Sequence, residues 1–261
     1  MVGNGSAATL ADVIDRTRVQ TVITVGPDDI GGEAVRASGL CTFPLETVTL
    51  TTAITEGGRL SHEPVALDGS DLLLVQYTGG TTGLSKGAAL SHRNLVANIE
   101  QFRAFTPNVQ RPGEEVVVTA IPLYLIFAFM ADFLSYFAIG AENWLIANPK
   151  QIDDFFDVLN LAPPTVFFGV NTRYAGLASH PRLREVDWSH LKLSAGGGSA
   201  IIDVVSARWK AVTGNFISEG FGLSETSPLV TFNPQFIDDF TGTAGLPRSV
   251  HRSHAARRQR V

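Results

Sequence analysis

The sequence has almost no cysteine, and its single thiol, Cys41, excludes an internal disulfide. One free cysteine fits a reducing compartment. The N-terminus, MVGNGSAATLADVID, has neither a basic start nor an apolar run, so we predict no secretory signal. Because the net charge is −5, the composition does not favour a nucleic-acid partner. We therefore expect a cytoplasmic protein that makes at most peripheral contact with a membrane.

A hydrophobic run long enough to span a membrane is also missing, although residues 116–141 come close. Pro122 separates a β-branched run from a helical pattern over residues 124–139. That helix would rise about 24 Å, short of the roughly 30 Å hydrocarbon core. Asp132 would lie near its middle, where a carboxylate is costly. The segment therefore predicts a strand, a break and a buried helix.

The last fourteen residues, RSVHRSHAARRQRV, differ in composition from the rest of the chain. They hold five of the 20 basic residues, so the body keeps 15 basic against 25 acidic residues, a net charge of −10. Such a tail is either a basic arm for RNA, DNA or an anionic surface, or a solvated disordered end, and we favour the second interpretation. The full chain of 261 residues is 44% hydrophobic and 17% charged, and it is long enough for one large or two modest cores. We expect a domain over residues 1–247 and a tail over 248–261.

Strand and helix patterns alternate along the body, which predicts an α/β fold with a mixed or parallel sheet covered by helices. The run 71–77 is apolar throughout, as in strands buried on both faces. The predicted strands are 19–25, a possible one at 47–54, 71–77, 87–92, 143–147, 165–170, 191–198 and 215–222, and the predicted helices are 93–105, 150–160, 171–179 and 200–214. Ligands collect in such folds where strands end in loops.

The segment YTGGTTGLSKG, residues 77–87, has the composition of a phosphate-binding loop. Within it, residues 78–86 carry three glycines, four threonine or serine hydroxyls and one lysine: Gly79, Gly80, Gly83, Thr78, Thr81, Thr82, Ser85 and Lys86. Glycines let several backbone N–H groups point at one anion, and the lysine adds a compact positive charge. The Walker phosphate loop is excluded, because Gly87 rather than a hydroxyl residue follows the lysine. The alternative is an exposed glycine-rich turn without a ligand.

This segment resembles the phosphate-binding signature of the adenylate-forming enzymes, in particular the bacterial long-chain fatty acyl-CoA ligases. Those enzymes use ATP to convert a fatty acid to an acyl adenylate, release pyrophosphate and pass the acyl group to coenzyme A. Further segments resemble the family in its order: IPLYLIFAF and FFGVNTRYAGL at the acyl tunnel, LKLSAGGGSA at the adenine, then ISEGFGLSETSPLV and GTAGLP. The resemblance runs from LADVIDRTRVQTVITV to Pro247.

The resemblance implies site residues in three groups. The ATP-binding residues would be Thr78, Gly79, Gly80, Thr81, Thr82, Gly83, Lys86, Gly196, Gly197, Gly198, Glu219, Gly220, Phe221, Gly222, Ser224 and Glu225. Thr78, Lys86 and Glu225 would be catalytic, and Thr78 and Glu225 would bind Mg²⁺. Tyr124, Leu125, Gly169, Val170 and Asn171 would border the fatty acid. The implied ligands are ATP, Mg²⁺, a fatty acid and, as co-substrate, coenzyme A. The resemblance leaves open whether the chain forms a homodimer.

Plain alternatives exist for each of these residues taken singly. Glu225 could be a helix-start carboxylate that accepts hydrogen bonds from backbone donors. Phe221 could belong to the core, and Gly196–Gly198 could form an ordinary turn at a strand end. Their occurrence together and in the family's order favours the ligand site.

Departures from the family pattern bear on activity. Leu125 stands where the family usually has histidine, and leucine can neither donate a hydrogen bond nor carry charge. The family's ribose aspartate, hinge arginine and C-terminal lid with a second lysine are expected beyond Pro247, where the arginine tail stands instead. We therefore expect a central fragment of the family's N-terminal domain, with a tail that suggests a frameshift and with impaired or absent activity. The alternatives are a non-catalytic remnant that binds ATP or acyl groups and an inert product of a decayed gene.

Overall fold

A computed structural model describes residues 20–24, 46–78, 86–146 and 148–247 of the chain, which divides into two compact units, Met1–Leu67 and Asp68–Val261. In the first unit, β1 (Thr21–Thr24) pairs in parallel with β2 (Glu46–Thr49). Helix α1 (Leu50–Gly57) follows at once, because the Thr49 hydroxyl accepts the Thr52 N–H at 3.1 Å and caps it. The possible strand over 47–54 is therefore wrong from residue 50 onwards.

The second unit begins with an antiparallel hairpin of β3 (Leu72–Thr78) and β4 (Lys86–Ser91). The prediction that this apolar run is buried on both faces is wrong, since Val75 is 45% and Tyr77 48% exposed. Among the described residues, one face of the two-stranded ribbon is covered, where Leu74 packs against a small cluster that contains Leu90 and Ile126. Side chains alternate across a strand, so Val75 and Tyr77 lie on the opposite face, which this cluster does not cover.

Helix α2 (His92–Phe105) follows the hairpin directly. Ser91 and Asn94 form a reciprocal capping box: Asn94 N–H donates to the Ser91 hydroxyl at 3.3 Å, and Ser91 N–H donates to the Asn94 amide oxygen at 3.0 Å. The helix therefore begins one residue before the predicted start and ends at the predicted residue.

The remaining elements build the main sheet. Its strands within the described residues are β5 (Val116–Thr119), β6 (Glu142–Leu145), β7 (Val166–Gly169), β8 (Leu193–Gly196), β9 (Ile217–Gly222), β10 (Leu229–Phe232) and β11 (Leu246–Pro247), in the order β11-β10-β9-β8-β7-β5-β6. Strands β5 to β9 run parallel, and β10 and β11 add an antiparallel edge. The helices between them are α3 (Ile152–Leu161), α4 (Asn171–Ala178) and α5 (Asp203–Thr213).

Hydrophobic cores cover both faces of this sheet. On one face, Phe167 packs with side chains of α3, α4 and α5, among them Trp209. On the other face, Phe168 packs with Phe102 of α2 and with Tyr136. Neighbouring residues of β7 thus enter opposite cores, as strand geometry requires. The predicted α/β class with helices on both faces is confirmed.

The segment predicted as a buried helix over 124–139 is helical in its later part. A π-helix, Ala128–Leu134, runs into one α-helical turn, Ser135–Phe137, and packs against the second core. No helix in the described part of the chain is both long and apolar enough to cross a membrane. Asp132 lies fully buried in this π-helix, and its Oδ1 accepts a hydrogen bond from the Thr119 hydroxyl at 2.9 Å.

Asp132 makes a pH dependence of stability testable. Burial raises the pKa of its carboxyl well above the usual value, although the Thr119 hydrogen bond acts in the opposite direction. Above the unfolded pKa the native state therefore holds a proton that the unfolded state has released. Stability should fall as pH rises through this window, by at most about 1.4 kcal/mol per pH unit. We expect Asp132→Asn to flatten this decline in urea-denaturation curves recorded at several pH values.

The matched control is Asp238→Asn at an exposed carboxylate of the same unit. It should leave the slope of stability against pH as in the parent chain. Parallel curves for the parent chain and Asp132→Asn would contradict the assignment of a buried, protonated carboxyl.

Candidate functional site

The carboxyl ends of three parallel strands place candidate residues in one row. Gly169 of β7 is the register partner of Gly196 of β8, and Gly196 is the partner of Glu219 of β9. Parallel strands end at the same edge of a sheet, which is where open α/β sheets bind ligands. The structure therefore brings the predicted acyl-site glycine beside the two segments predicted to hold the adenine.

The turn after β8 is closely packed. A Cβ on Gly196 would lie 2.7 Å from the Ile201 side chain, and one on Gly197 would lie 3.1 Å from the Gly220 carbonyl oxygen and 3.4 Å from the Phe127 ring. Gly198 has a positive φ of 77°. Each glycine of the turn is thus required by packing or backbone conformation. The turn lies against β9 on one side and the segment after β5 on the other.

Two predicted ligand residues hold the chain that follows this turn. The Glu219 carboxylate accepts the Ile201 N–H at 2.8 Å, and the Asn171 amide oxygen accepts the Ile202 N–H at 3.0 Å. Glu219 is only 7% exposed. These contacts position the adenine-side turn, and direct contacts of the two residues with a ligand stay predictions. Sequence spacing could not reveal the contacts, because the partners lie 18 and 31 residues apart.

The residues predicted to border the acyl group lie at the end of β7 and in the turn after β5. A Cβ on Gly169 would lie 2.8 Å from the Tyr174 ring, so glycine is needed there. Val170 follows it and is half-buried. Tyr124 and Leu125 are 49% and 44% exposed, and the Tyr124 carbonyl accepts the Gln76 side-chain amide at 3.2 Å. Sequence analysis missed Gln76, which ties this turn to β3.

The base of the predicted phosphate loop is a cross-strand pair. Thr78 ends β3, Lys86 begins β4, and the Thr78 hydroxyl donates to the Lys86 carbonyl at 3.3 Å. The residues between them lie outside the described part of the chain, so the roles of Gly79, Gly80, Thr81, Thr82 and Gly83 stay predictions. The hairpin brings the hydroxyl and the lysine to the same end of the ribbon.

Glu225 lies on an exposed 3₁₀ turn, Ser224–Thr226, and β4 packs against this turn. The Thr226 hydroxyl fixes the turn, because it donates to the Leu223 carbonyl at 2.9 Å and accepts the Leu223 N–H at 3.1 Å. Within the described residues, the Glu225 carboxylate itself forms no hydrogen bond, so the alternative interpretation of a helix-start carboxylate finds no support there. The structure thus places the predicted metal-binding carboxylate beside the strand that begins at Lys86.

Phe221 settles one of the alternatives. Its side chain is 49% exposed on β9, so the interpretation of Phe221 as a core residue is wrong. An exposed aromatic face beside a glycine turn can stack on a planar ring.

The donor set fits a magnesium ion only in part. No group of three or more His, Cys, Asp or Glu side chains suited to a metal occurs in the described residues. Thr78 and Glu225 offer hard oxygen atoms, which Mg²⁺ prefers, and this ion usually takes its other ligands from phosphates and water. The pair therefore suits a metal that arrives with a polyphosphate rather than one held by protein alone.

Sequence comparison decides the family. The sequence model of the AMP-binding enzymes matches residues 4–253. The chain belongs to this family. Its relatives include the long-chain-fatty-acid–CoA ligase of Escherichia coli O157:H7, 40% identical over 255 residues, which cover 92% of this chain and 45% of that protein. The corresponding ligase of Bacillus subtilis strain 168 is 33% identical over 177 residues, 68% of this chain and 31% of that protein. This AMP-binding chain thus spans less than half the length of these curated relatives.

Solved structures agree with this assignment. ATP-bound MatB from Rhodopseudomonas palustris superposes with a TM-score of 0.72 at 27% identity, over 94% of this chain and 48% of that one. A benzoate CoA ligase from Burkholderia xenovorans LB400 superposes with a TM-score of 0.76 at 21% identity, over 95% and 50% of the two chains, and at that identity shows the fold alone. The resemblance to adenylate-forming enzymes, and to their N-terminal domain, is confirmed.

The strand-end packing can be tested at Gly222, the last residue of β9. A Cβ there would lie 2.3 Å from the Pro228 carbonyl oxygen, a backbone atom that cannot move alone. We expect Gly222→Ala to lower the free energy of unfolding by about 1–3 kcal/mol in urea denaturation. The control is Gly176→Ala in α4, where the added Cβ meets nothing within 4 Å. It should stabilise by about 0.5–1 kcal/mol, and equal effects of the two changes would contradict the packing argument.

Proposed function

We propose that this AMP-binding chain forms the nucleotide- and acyl-binding face of an ATP-dependent long-chain fatty acyl-CoA ligase. The observation that carries the proposal is the contact of β4, which begins at Lys86, with the turn that bears Glu225. A cation and a carboxylate on touching segments are what a magnesium–polyphosphate ligand needs. The fatty-acid substrate rests on the ligases of Escherichia coli and Bacillus subtilis that the chain resembles.

In the proposed complex, ATP lies across the carboxyl edge of the sheet. Lys86 contacts its phosphates, and the adenine lies between the turn after β8 and the exposed face of Phe221. Thr78 and Glu225 would hold Mg²⁺, which would neutralise phosphate charge. The superposition with ATP-bound MatB supports this placement.

The proposed reaction has two transfers. The fatty-acid carboxylate attacks the α-phosphorus of ATP, a carbon–oxygen–phosphorus anhydride forms, and the bond to pyrophosphate breaks. The thiol of coenzyme A then forms a thioester with the acyl group and AMP leaves. Lys86 stabilises the negative charge that gathers on the transferring phosphate, while Gly169 and Val170 border the acyl carboxylate. A side chain on Gly169 would collide with the Tyr174 ring, so glycine allows that ring to pack against the end of β7.

A second candidate is a function in binding without catalysis, and Leu125 favours it. Its exposed side chain lies in the turn after β5, where it can neither donate a hydrogen bond nor transfer a proton. Under this alternative the chain binds MgATP or an acyl group and forms no acyl adenylate.

Binding of MgATP tests what the two candidates share. We expect Lys86→Met and Glu225→Gln each to raise the dissociation constant for MgATP about tenfold in isothermal titration calorimetry, because each removes a charge from the phosphate site. The controls are Lys150→Met and Glu114→Gln, exposed residues before α3 and before β5. Equal affinity in all five proteins would refute the proposed site, and absence of binding by the parent chain would refute both candidates.

Isotope exchange between ATP and pyrophosphate separates catalysis from binding. We expect exchange that depends on a long-chain fatty acid to be slow in the parent chain and about tenfold or more faster in Leu125→His, which restores a proton-carrying side chain. Leu125→Ala, which removes bulk without adding such a group, is the control. No exchange in any of the three proteins, with MgATP binding intact, would favour the binding function.

A further inference from the structure

Asn98 is a buried polar residue on the apolar face of α2. It lies between Leu95 and Phe102 at helical spacing and is only 4% exposed. Buried amides are kept in place by hydrogen bonds, since an unmade bond there costs stability. Its Nδ2 donates to the Gln101 Oε1 of the same helix at 3.4 Å, and the shorter bonds of Asn98 reach backbone outside the helix.

The Asn98 side chain pairs with the backbone on both sides of Pro228. Its Oδ1 accepts the Leu229 N–H at 3.2 Å, and its Nδ2 donates to the Leu229 carbonyl at 2.9 Å. The same Nδ2 lies 3.4 Å from the Thr226 carbonyl. One amide thus holds both the end of the 3₁₀ turn at Thr226 and the start of β10 at Leu229. These partners lie 128 and 131 residues away in sequence.

These partners connect two halves of the candidate site. Helix α2 continues directly from β4, whose first residue is Lys86. Thr226 is the residue next to Glu225. We propose that Asn98 is a positioning residue, which sets the separation of Lys86 from Glu225 and thereby tunes the site for a magnesium-bound polyphosphate. This inference rests on the proposed function, because it assumes that both residues contact the same MgATP.

The chemistry requires an asparagine-like amide at this position. A carboxylate offers no donor to the Leu229 carbonyl, and leucine offers neither donor nor acceptor. Glutamine keeps both groups but carries one more methylene, so it would displace the turn instead of releasing it. The Asn98 amide therefore fixes the position of the turn that bears Glu225. A purely structural role would change stability without changing the affinity for MgATP.

The test is a double-mutant cycle in the full chain, with the dissociation constant for MgATP as the readout. We expect Asn98→Leu to weaken binding about tenfold in the parent background and by less than about twofold in the Glu225→Gln background, because the positioned carboxylate is already gone. Asn98→Gln should weaken binding as well, and circular dichroism will show whether each variant is folded. If Asn98→Leu does not fold, the cycle is completed with Asn98→Gln.

The control variant is Thr213→Val, which removes a buried hydroxyl that bonds the Trp209 carbonyl within α5. It should lower thermal stability without a change in MgATP affinity. Equal losses from the Asn98 variants in both backgrounds, or no loss in either, would overturn the positioning role while Glu225→Gln still weakens binding. Failure of the parent chain to bind MgATP would instead refute the proposed function, so the two failures are distinguishable.

Discussion

The parallel backbone pairing of β7, β8 and β9 is the constraint on which the candidate site depends. It places Gly169, Gly196 and Glu219 in register, so the ends of β7 and β8 lie beside Glu219 within β9, although the three segments are far apart in sequence. The glycines are needed at that edge because Cβ atoms would meet Tyr174, Ile201 and Ile217. A parallel sheet can hold such a row only when both of its faces are buried. The two aromatic-rich cores on either side of β7 therefore serve the site as well as stability.

Side-chain hydrogen bonds to backbone complete what the sheet begins. Glu219 and Asn171 hold the residues after the glycine turn, Gln76 holds the turn at Tyr124, and Asn98 holds the segment after Glu225. Each of these contacts joins a loop to a strand or helix that is already fixed by the core. Loops carry function in such folds because a rigid scaffold places them. The common feature is a polar side chain that satisfies backbone groups which no regular ladder reaches.

The proposed function gives these contacts a chemical purpose. Activation of a carboxylate would need an acyl group, a nucleotide and its phosphates at one place, and the described residues supply a candidate for each. The residues predicted to border the acyl group at the end of β7 lie beside those predicted to hold the adenine at the end of β8. The hairpin that contains Lys86 contacts the turn that bears Glu225. At the predicted acyl side, the exposed Leu125 side chain carries no proton-transferring group, so what the chain binds and what it converts are separate questions.

Most of the described strands and helices and the family could be predicted from sequence, because each depends on residues within short segments. Period-two and period-3.6 patterns report local burial, and the capping pair Ser91 and Asn94 follows from local chemistry. Tertiary structure decided the rest. The run 71–77 is predicted as a strand buried on both faces, yet within the described residues it pairs with one neighbouring strand, and Val75 and Tyr77 are exposed. Glu219 and Asn98 look like a ligand residue and a helix residue, yet each holds backbone far away in sequence. Such contacts depend on strand order and on which surfaces pack together. A sequence pattern indicates that a residue is buried but does not identify the residue it contacts.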